Sequence, residues 1–146
     1  MNTRNQLCTF TVGNFFFGLG VEQVQEVIRY QKLTRVPLAS PTVRGLINLR
    51  GQIVTAIDMR SLLKQGEYVA DETPMNVIVR NGDSTVSFLV DKIGDVLEMD
   101  ENDFELPPET LKGVARILIN GAYKLPGQLL LALDVEKMIE LTIENE

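Results

Sequence analysis

The stretch RGLINLRGQIVTAIDM, residues 44–59, decides the fold class of this chain. Two apolar runs flank NLRG (residues 48–51), an arrangement that is typical of a β-hairpin. Gly51 can supply the positive φ that such turns need, so the turn itself does not need an arginine. Asp58 ends the second run and can cap a short helix, MRSLLKQ. The stretch therefore predicts strand, turn, strand and helix, with Arg50 free for another role.

The same plan recurs further along the chain. Three pairs of segments match in the same order, at offsets of 69, 68 and 76 residues: QEVI (25–28) with GDVL (94–97), TVRGL (42–46) with TLKGV (110–114), and IVTAIDMRSLL (53–63) with LLLALDVEKMI (129–139). Any strand that runs into an Asp-capped helix produces one such match. Three matches in order favour a tandem duplication.

Two further hairpins are indicated by turn residues between apolar runs, at Gly13-Asn14 and at Asn81-Gly82-Asp83. VEQVQEVIRY (21–30) and residues 91–99 instead carry apolar residues three and four positions apart. That spacing predicts a short helix or an irregular turn with one apolar face. Two prolines restrict residues 34–43 to an extended loop.

The second half should end as the first one does. Apolar strands are predicted at 114–119 and 129–133, with a turn at residues 118–121 (LING), and Asp134 is expected to cap a final helix, VEKMIEL. A turn glycine recurs in this arrangement, but Arg50 has no counterpart. This difference favours a binding or interdomain role for Arg50.

Each half, approximately 8–66 and 75–141, would hold about five short strands in roughly 70 residues, a size that suits a small Greek-key or SH3-like barrel. Cores of that size contribute only about 3 to 5 kcal/mol. The halves should therefore pack on each other, bury a third apolar layer between them and leave a groove where they meet.

Composition excludes most catalytic and nucleic-acid-binding classes. The 146 residues include no histidine and one cysteine, Cys8, so the commonest general base and transition-metal ligand, disulfides and thiolate clusters are all missing. The net charge of −6 and the pI near 4.7 oppose binding to phosphate-rich partners. We expect a cytoplasmic globular protein without membrane span, metal or cofactor.

Short motifs point to no reaction chemistry. Residues 18–20 (GLG) resemble the start of a dinucleotide fingerprint, but position 23 is Gln and no βαβ unit surrounds them. The acidic residues 100–105 lack the glycine and the terminal glutamate of a calcium loop. We therefore predict that the chain is not an enzyme.

An apolar strip is the best candidate for a partner site. It comprises Val24, Val27 and Ile28 and their repeat equivalents Ile93, Val96 and Leu97. Such residues usually belong to a core, but segments this short do not bury all six, and polar residues surround the first three. Glu26 and Arg50 are placed to pair across the groove.

Several segments resemble the CheW family of bacterial chemotaxis coupling proteins. They are VQEV (24–27), TRVP (34–37), RGLINLRGQIVTAIDMR (44–60) and VDKIGDVL (90–97). The resemblance extends from about Cys8 to Ile139, nearly the whole chain. It implies one CheW-like domain over residues 1–146, mainly β, built as two intertwined five-stranded SH3-like barrels with a few short helices and possible strand exchange between the halves.

The same resemblance implies a non-catalytic adaptor that couples the cytoplasmic tips of chemoreceptors to the regulatory domain of the histidine kinase CheA at receptor arrays. The receptor-binding residues carried over are Val24, Glu26, Val27, Arg50, Ile93 and Val96. The expected kinase-binding residues lie on one loop: Glu105, Pro107, Pro108 and Glu109. A chemosensory pathway other than swimming is an alternative, and a small nucleic-acid-binding barrel is the competing class.

Overall fold

The computed structural model describes residues 4–66 and 73–144. The described residues form eleven strands and three α-helices. In chain order these are β1 (Arg4–Val12), β2 (Phe15–Gly20), β3 (Val24–Arg29), β4 (Val43–Leu49), β5 (Gln52–Asp58), α1 (Met59–Leu62), β6 (Met75–Asn81), β7 (Ser84–Val90), β8 (Lys92–Asp100), β9 (Phe104–Glu105), α2 (Gly113–Leu118), β10 (Ile119–Leu125), β11 (Gln128–Leu133) and α3 (Val135–Glu144). Single 3-10 turns precede β3 and β9.

The strands form two sheets, which confirms the prediction of a mainly β fold. The six-stranded sheet has the order β8-β1-β2-β11-β10-β9, and the five-stranded sheet has the order β3-β6-β7-β5-β4. The hairpin β1–β2 thus joins the C-terminal strands, whereas β6–β7 joins β3, β4 and β5. Each sheet combines strands from early and late in the chain, and the two sheets are intertwined.

The strand register repeats between the two sheets. Thr55 on β5 pairs in parallel with Val86 on β7, and Leu131 on β11 pairs in parallel with Phe17 on β2. These two pairs are related by the sequence offsets of 76 and 69 residues found above. The register therefore supports the tandem duplication.

Each sheet is closed by the chain that follows its edge strand. Thr34, beyond β3, exchanges two backbone hydrogen bonds with Leu46 on β4, at 2.9 and 2.8 Å. In the other sheet, β9 pairs with β10 at Tyr123 and Ala122. The sixth strand of that sheet is therefore the closing segment of a five-stranded barrel, and we call the two units the five-stranded barrel and the six-stranded barrel.

Apolar side chains form three clusters. The five-stranded barrel encloses a small one with Ile47 and Ile78, and the six-stranded barrel encloses another with Leu7 and Leu130. The largest cluster draws residues from both sheets, including Phe10, Phe17 and Phe88, together with residues of the three helices. This shared layer is the third apolar layer that the sequence predicted.

Residues 24–29 and 92–100 are strands, so the prediction of a helix or irregular turn was wrong for them, whereas Val21–Gln23 forms a 3-10 turn. A bulge separates the pairs Val24 with Val79 and Val27 with Val77, and another separates Ile93 with Phe10 and Val96 with Cys8. In both cases three positions on the edge strand oppose two on its neighbour, so residues three apart face the same side. The bulges reproduce the spacing of a helix.

The prediction for residues 114–121 was also wrong. Residues 113–118 form α2, whose Ala115 and Leu118 belong to the shared layer. The hairpin turn lies at Pro126-Gly127 between β10 and β11. At offset 76 these residues correspond to Arg50-Gly51, so Arg50 still has no counterpart. Among the described residues, no helix is long and apolar enough to cross a bilayer.

Candidate functional site

The β4–β5 turn holds Arg50 in an unusual backbone conformation. Arg50 has φ +50° and Gly51 has φ +89°, the pattern of a two-residue type I′ turn. The side chain of Asn48 accepts a hydrogen bond from the Gly51 amide at 2.8 Å. A left-handed residue other than glycine costs about 1 to 2 kcal/mol. Gly51 supplies only one of the two left-handed positions in this turn. Arg50 occupies the other position, which glycine would suit better.

Arg50 binds Glu26, as the sequence predicted. Its Nη2 lies 2.8 Å from Oε1 and 2.9 Å from Oε2 of Glu26. Glu26 lies on β3 and Arg50 follows β4, which are opposite edges of one sheet. The pair therefore joins the two edges of the five-stranded barrel and does not span the groove between halves. The Arg50 side chain is 67% exposed, so the pair contributes only about 0 to 1 kcal/mol.

The six-stranded barrel lacks such a pair. Asp95 corresponds to Glu26, and Pro126 corresponds to Arg50, so the basic partner is replaced by a proline. The two barrels therefore present different surfaces at equivalent positions. In the five-stranded barrel the exposed guanidinium is held at a turn between two strands, whereas the exposed ion pair of the six-stranded barrel, Arg4 with Glu98 at 3.9 Å, joins the neighbouring strands β1 and β8.

Four of the predicted receptor residues lie on edge strands of the two sheets. We call Val24, Val27, Ile93 and Val96 the seam strip. Val24 packs against the shared layer, whereas Val27 and Ile93 are each 37% exposed and Val96 is 56% exposed. They lie on β3 and β8, which are edge strands of different sheets. The structure thus exposes three apolar residues of the strip.

The predicted groove does not coincide with a cavity at these residues. A cavity of about 470 Å³ lies among β1, β2, β10 and β11, and none of the six predicted receptor residues lines it. The six predicted receptor residues therefore lie outside this cavity, on β3, on β8 and in the β4–β5 turn.

Of the four predicted kinase residues, Glu105 ends β9, and Pro107, Pro108 and Glu109 lie on the loop between β9 and α2. The Oε1 atom of Glu105 lies 3.5 Å from the Nζ atom of Lys124. The Pro108 carbonyl accepts a hydrogen bond from the Leu111 amide. Pro107 and Glu109 line a cavity of about 330 Å³ together with Leu106 and Arg116, and Leu106 is 88% exposed. The loop is therefore ordered around an exposed apolar residue.

Sequence reasoning missed a second apolar surface, on the outside of the five-stranded barrel. Ile53 is 61% exposed and Leu38, at φ +65°, is fully exposed. A cavity of about 380 Å³ lies beside them, between the 36–39 loop and Thr55. The alternation of Ile53 and Thr55 along β5 was the available signal, because it places both on the outer face.

Within residues 4–66 and 73–144, no three carboxylate or thiol side chains come together as a metal site. The exposed apolar and charged groups suit a protein partner.

Burial, and secondly the nearby Glu22 carboxylate, raises the pKa of the Cys8 thiol. Because the folded state favours the neutral thiol, this contribution to stability is fully present below the unfolded-state pKa of Cys8 and is lost as pH rises through the raised folded-state pKa. We predict slower iodoacetamide labelling at pH 8 than in the urea-unfolded chain, and faster labelling in Glu22→Gln. Mass spectrometry with Glu136→Gln as the control measures both, and equal rates in the two variants would contradict the prediction.

The family model of the CheW-like domain matches residues 6–142. The chain is 31% identical over 141 residues to the chemotaxis protein CheW of Bacillus subtilis (strain 168), covering 96% of this chain and 90% of the relative. It is 30% identical to the chemotaxis protein CheW of Thermotoga maritima, covering 92% and 87%. The scaffolding protein TtCheW from Thermoanaerobacter tengcongensis has the same fold, with a TM-score of 0.80 at 24% identity over 89% of this chain and 88% of that one.

Proposed function

Because this chain belongs to the CheW family, we propose that it is a chemotaxis scaffold that couples chemoreceptors to the histidine kinase CheA. The observation that carries this proposal is the Arg50–Glu26 pair, which is exposed, ordered and held on a left-handed backbone. A feature that costs backbone energy and adds little stability is typical of a binding site. The scaffold role needs no catalytic step.

The receptor tip is proposed to bind the seam strip and Arg50. The strip offers exposed valine and isoleucine side chains, and Arg50 offers free guanidinium N–H groups beside them. Apolar contacts surrounded by polar groups are the usual anatomy of such an interface. Glu26 keeps the Arg50 side chain in one orientation, which lowers the entropy lost on binding.

The kinase is proposed to bind at the loop that carries Glu105, Pro107, Pro108 and Glu109. This loop follows β9 of the six-stranded sheet, whereas the Arg50 turn follows β4 of the five-stranded sheet. Separate surfaces allow one chain to hold both partners at receptor arrays. The partner on the kinase is its regulatory domain.

In this proposal, receptor state and kinase activity are coupled by thermodynamic linkage. If the chain binds the kinase-on and kinase-off receptor arrangements with different free energies, it shifts the population of kinase states. A difference of about 1 to 3 kcal/mol is typical of such coupling.

Sedimentation of receptor-bearing membranes tests this function. We expect a CheA-type kinase to sediment several-fold more with the chain than without it. Ile93→Glu should remove both chain and kinase from the pellet, because it places a charge in the seam strip. Glu109→Lys should remove the kinase and leave the chain bound.

Glu140→Lys, an exposed change on α3, is the matched control for both surfaces. Equal kinase recovery with and without the chain would refute the scaffold function. Loss of the chain in Glu109→Lys, or of the kinase alone in Ile93→Glu, would reverse the assignment of the surfaces.

A further inference from the structure

None of the proposed receptor and kinase residues lines the cavity of about 470 Å³ in the six-stranded barrel. Its volume lies within the range of small-molecule sites, about 300 to 1,000 Å³. Six of its side chains carry the argument below: Asn5, Glu22, Gln23, Glu101, Phe104 and Tyr123.

The fold does not require this cavity, because the other barrel fills the equivalent space. Gly18 and Gly20 line the cavity, and their equivalents at offset 69 are Ser87 and Leu89, both fully buried. The Ser87 hydroxyl donates a hydrogen bond to the Asn76 side chain at 2.7 Å. The two glycines on β2 have no side chains to fill this region, so the Leu7 and Leu130 side chains lie against Gly18 and the Glu22 carboxylate lies beside Gly20.

The cavity carries negative charge. Glu22 and Glu101 line it, and the described lining residues include no lysine or arginine. The Glu101 carboxylate accepts a hydrogen bond from the Asn5 side chain at 3.3 Å. The Phe104 ring, 40% exposed, forms part of the lining, and aromatic faces attract cations. These groups select a cationic ligand with an apolar portion.

The Tyr123 hydroxyl points to the same conclusion. Tyr123 is 4% exposed, and its ring is tilted by 54° to the Phe104 ring, with the ring centroids 5.2 Å apart. No hydrogen bond to its hydroxyl occurs within the described part of the chain. Every side-chain oxygen or nitrogen that is fully buried in the described part of the chain has a hydrogen-bond partner. The Tyr123 hydroxyl has none there, so it is accessible. It meets solvent at the cavity that Tyr123 lines. It is a polar group on a buried side chain that a ligand N–H can reach.

We propose that this cavity binds a small organic diamine. The carboxylates of Glu22 and Glu101 hold its ammonium groups, Phe104 covers its methylene chain, and the Tyr123 hydroxyl accepts one N–H. Charge-assisted hydrogen bonds of this kind are roughly twice as strong as those between neutral groups. The site is independent of the proposed scaffold function.

NMR titration of the full chain with putrescine (1,4-diaminobutane) tests the proposal. Saturable shifts should be confined to the cavity residues. Glu22→Gln and Tyr123→Phe should each weaken binding at least about tenfold. Gly20→Leu, which copies the closed barrel and keeps a negative φ of −57°, should abolish binding. Glu136→Gln and Tyr30→Phe, outside the cavity, should bind as the unaltered chain does.

Three outcomes would overturn the proposal. They are absence of saturable binding at millimolar putrescine, equal binding of the uncharged butane-1,4-diol, and binding of a lysine-bearing peptide without any binding of putrescine. Tyr123→Phe keeps the ring and its packing, so it decides the test if Gly20→Leu does not fold. Receptor sedimentation by Tyr123→Phe should be unchanged, which separates this site from the scaffold function.

Discussion

Replacement of Arg60 by alanine is expected to lower the free energy of unfolding by about 3 to 5 kcal/mol, the usual cost of leaving one member of a buried ion pair alone. Arg60 on α1 binds both carboxylate oxygens of Asp91, through Nε at 2.8 Å and Nη2 at 2.7 Å. The two side chains are only 15% and 7% exposed. Without Arg60, the charge of Asp91 stays buried with few remaining donors.

Because of the position of Asp91, the loss of this ion pair is expected to destabilise the whole fold. Asp91 lies where the chain leaves β7 of one sheet and enters β8 of the other, and its carboxylate also accepts a hydrogen bond from the Gly13 amide at 2.8 Å. Arg60 additionally donates to the Gln65 carbonyl at 2.9 Å. The ion pair therefore connects α1, the β1–β2 turn and the crossing between the two barrels.

Urea denaturation measures the effect, with Lys124→Ala as the matched control. Lys124 and Glu105 form an exposed pair at 3.5 Å, so its loss should cost no more than about 1 kcal/mol. Arg60→Met combined with Asp91→Leu should recover part of the loss, because no unpaired charge remains. A similar small loss for Arg60→Ala and Lys124→Ala would contradict the prediction.

Local signals in the sequence predicted the local structure well. The turns at Gly13-Asn14 and at residues 81–83 join strands as expected. Asp58 accepts a hydrogen bond from the Ser61 amide at the start of α1, and Asp134 accepts one from the Lys137 amide in α3. These features depend on residues close together in the chain, so their chemistry is readable without the fold.

Features that depend on distant residues were missed. The bulges in β3 and β8 hide the two-residue period of a strand, because their geometry is set by the neighbouring strands β6 and β1. The exchange of hairpins depends on parallel pairing between β5 and β7 and between β11 and β2. Long-range pairing of this kind leaves no pattern within either strand.

The candidate site was predictable in part. The sequence predicted the pairing of Arg50 with Glu26 from their opposite charges. The location of the pair within one barrel could not be predicted, because it depends on the closure of the sheet at Thr34. Gly18 and Gly20 stood out in the sequence only as a failed nucleotide motif. Their role as the open wall of a cavity became visible once Ser87 and Leu89 marked the equivalent positions.

Arg50→Gly separates the binding role of this residue from its role in the fold. Glycine suits φ +50°, so the substitution should leave the free energy of unfolding unchanged or raise it by up to about 1 kcal/mol. The small contribution of the exposed pair with Glu26 is lost at the same time. Receptor binding should nevertheless fall at least about tenfold, because the guanidinium beside the seam strip is gone.

Lys64→Gly is the matched control, since Lys64 is an exposed residue at φ +55° away from the proposed surface. It should stabilise the chain to a similar extent and bind receptor-bearing membranes as the unaltered chain does. Sedimentation and urea denaturation of the two variants decide between the roles. If Arg50→Gly is destabilised by more than about 2 kcal/mol, Arg50 serves the fold. If it is stable and binds normally, the proposed receptor surface does not include Arg50.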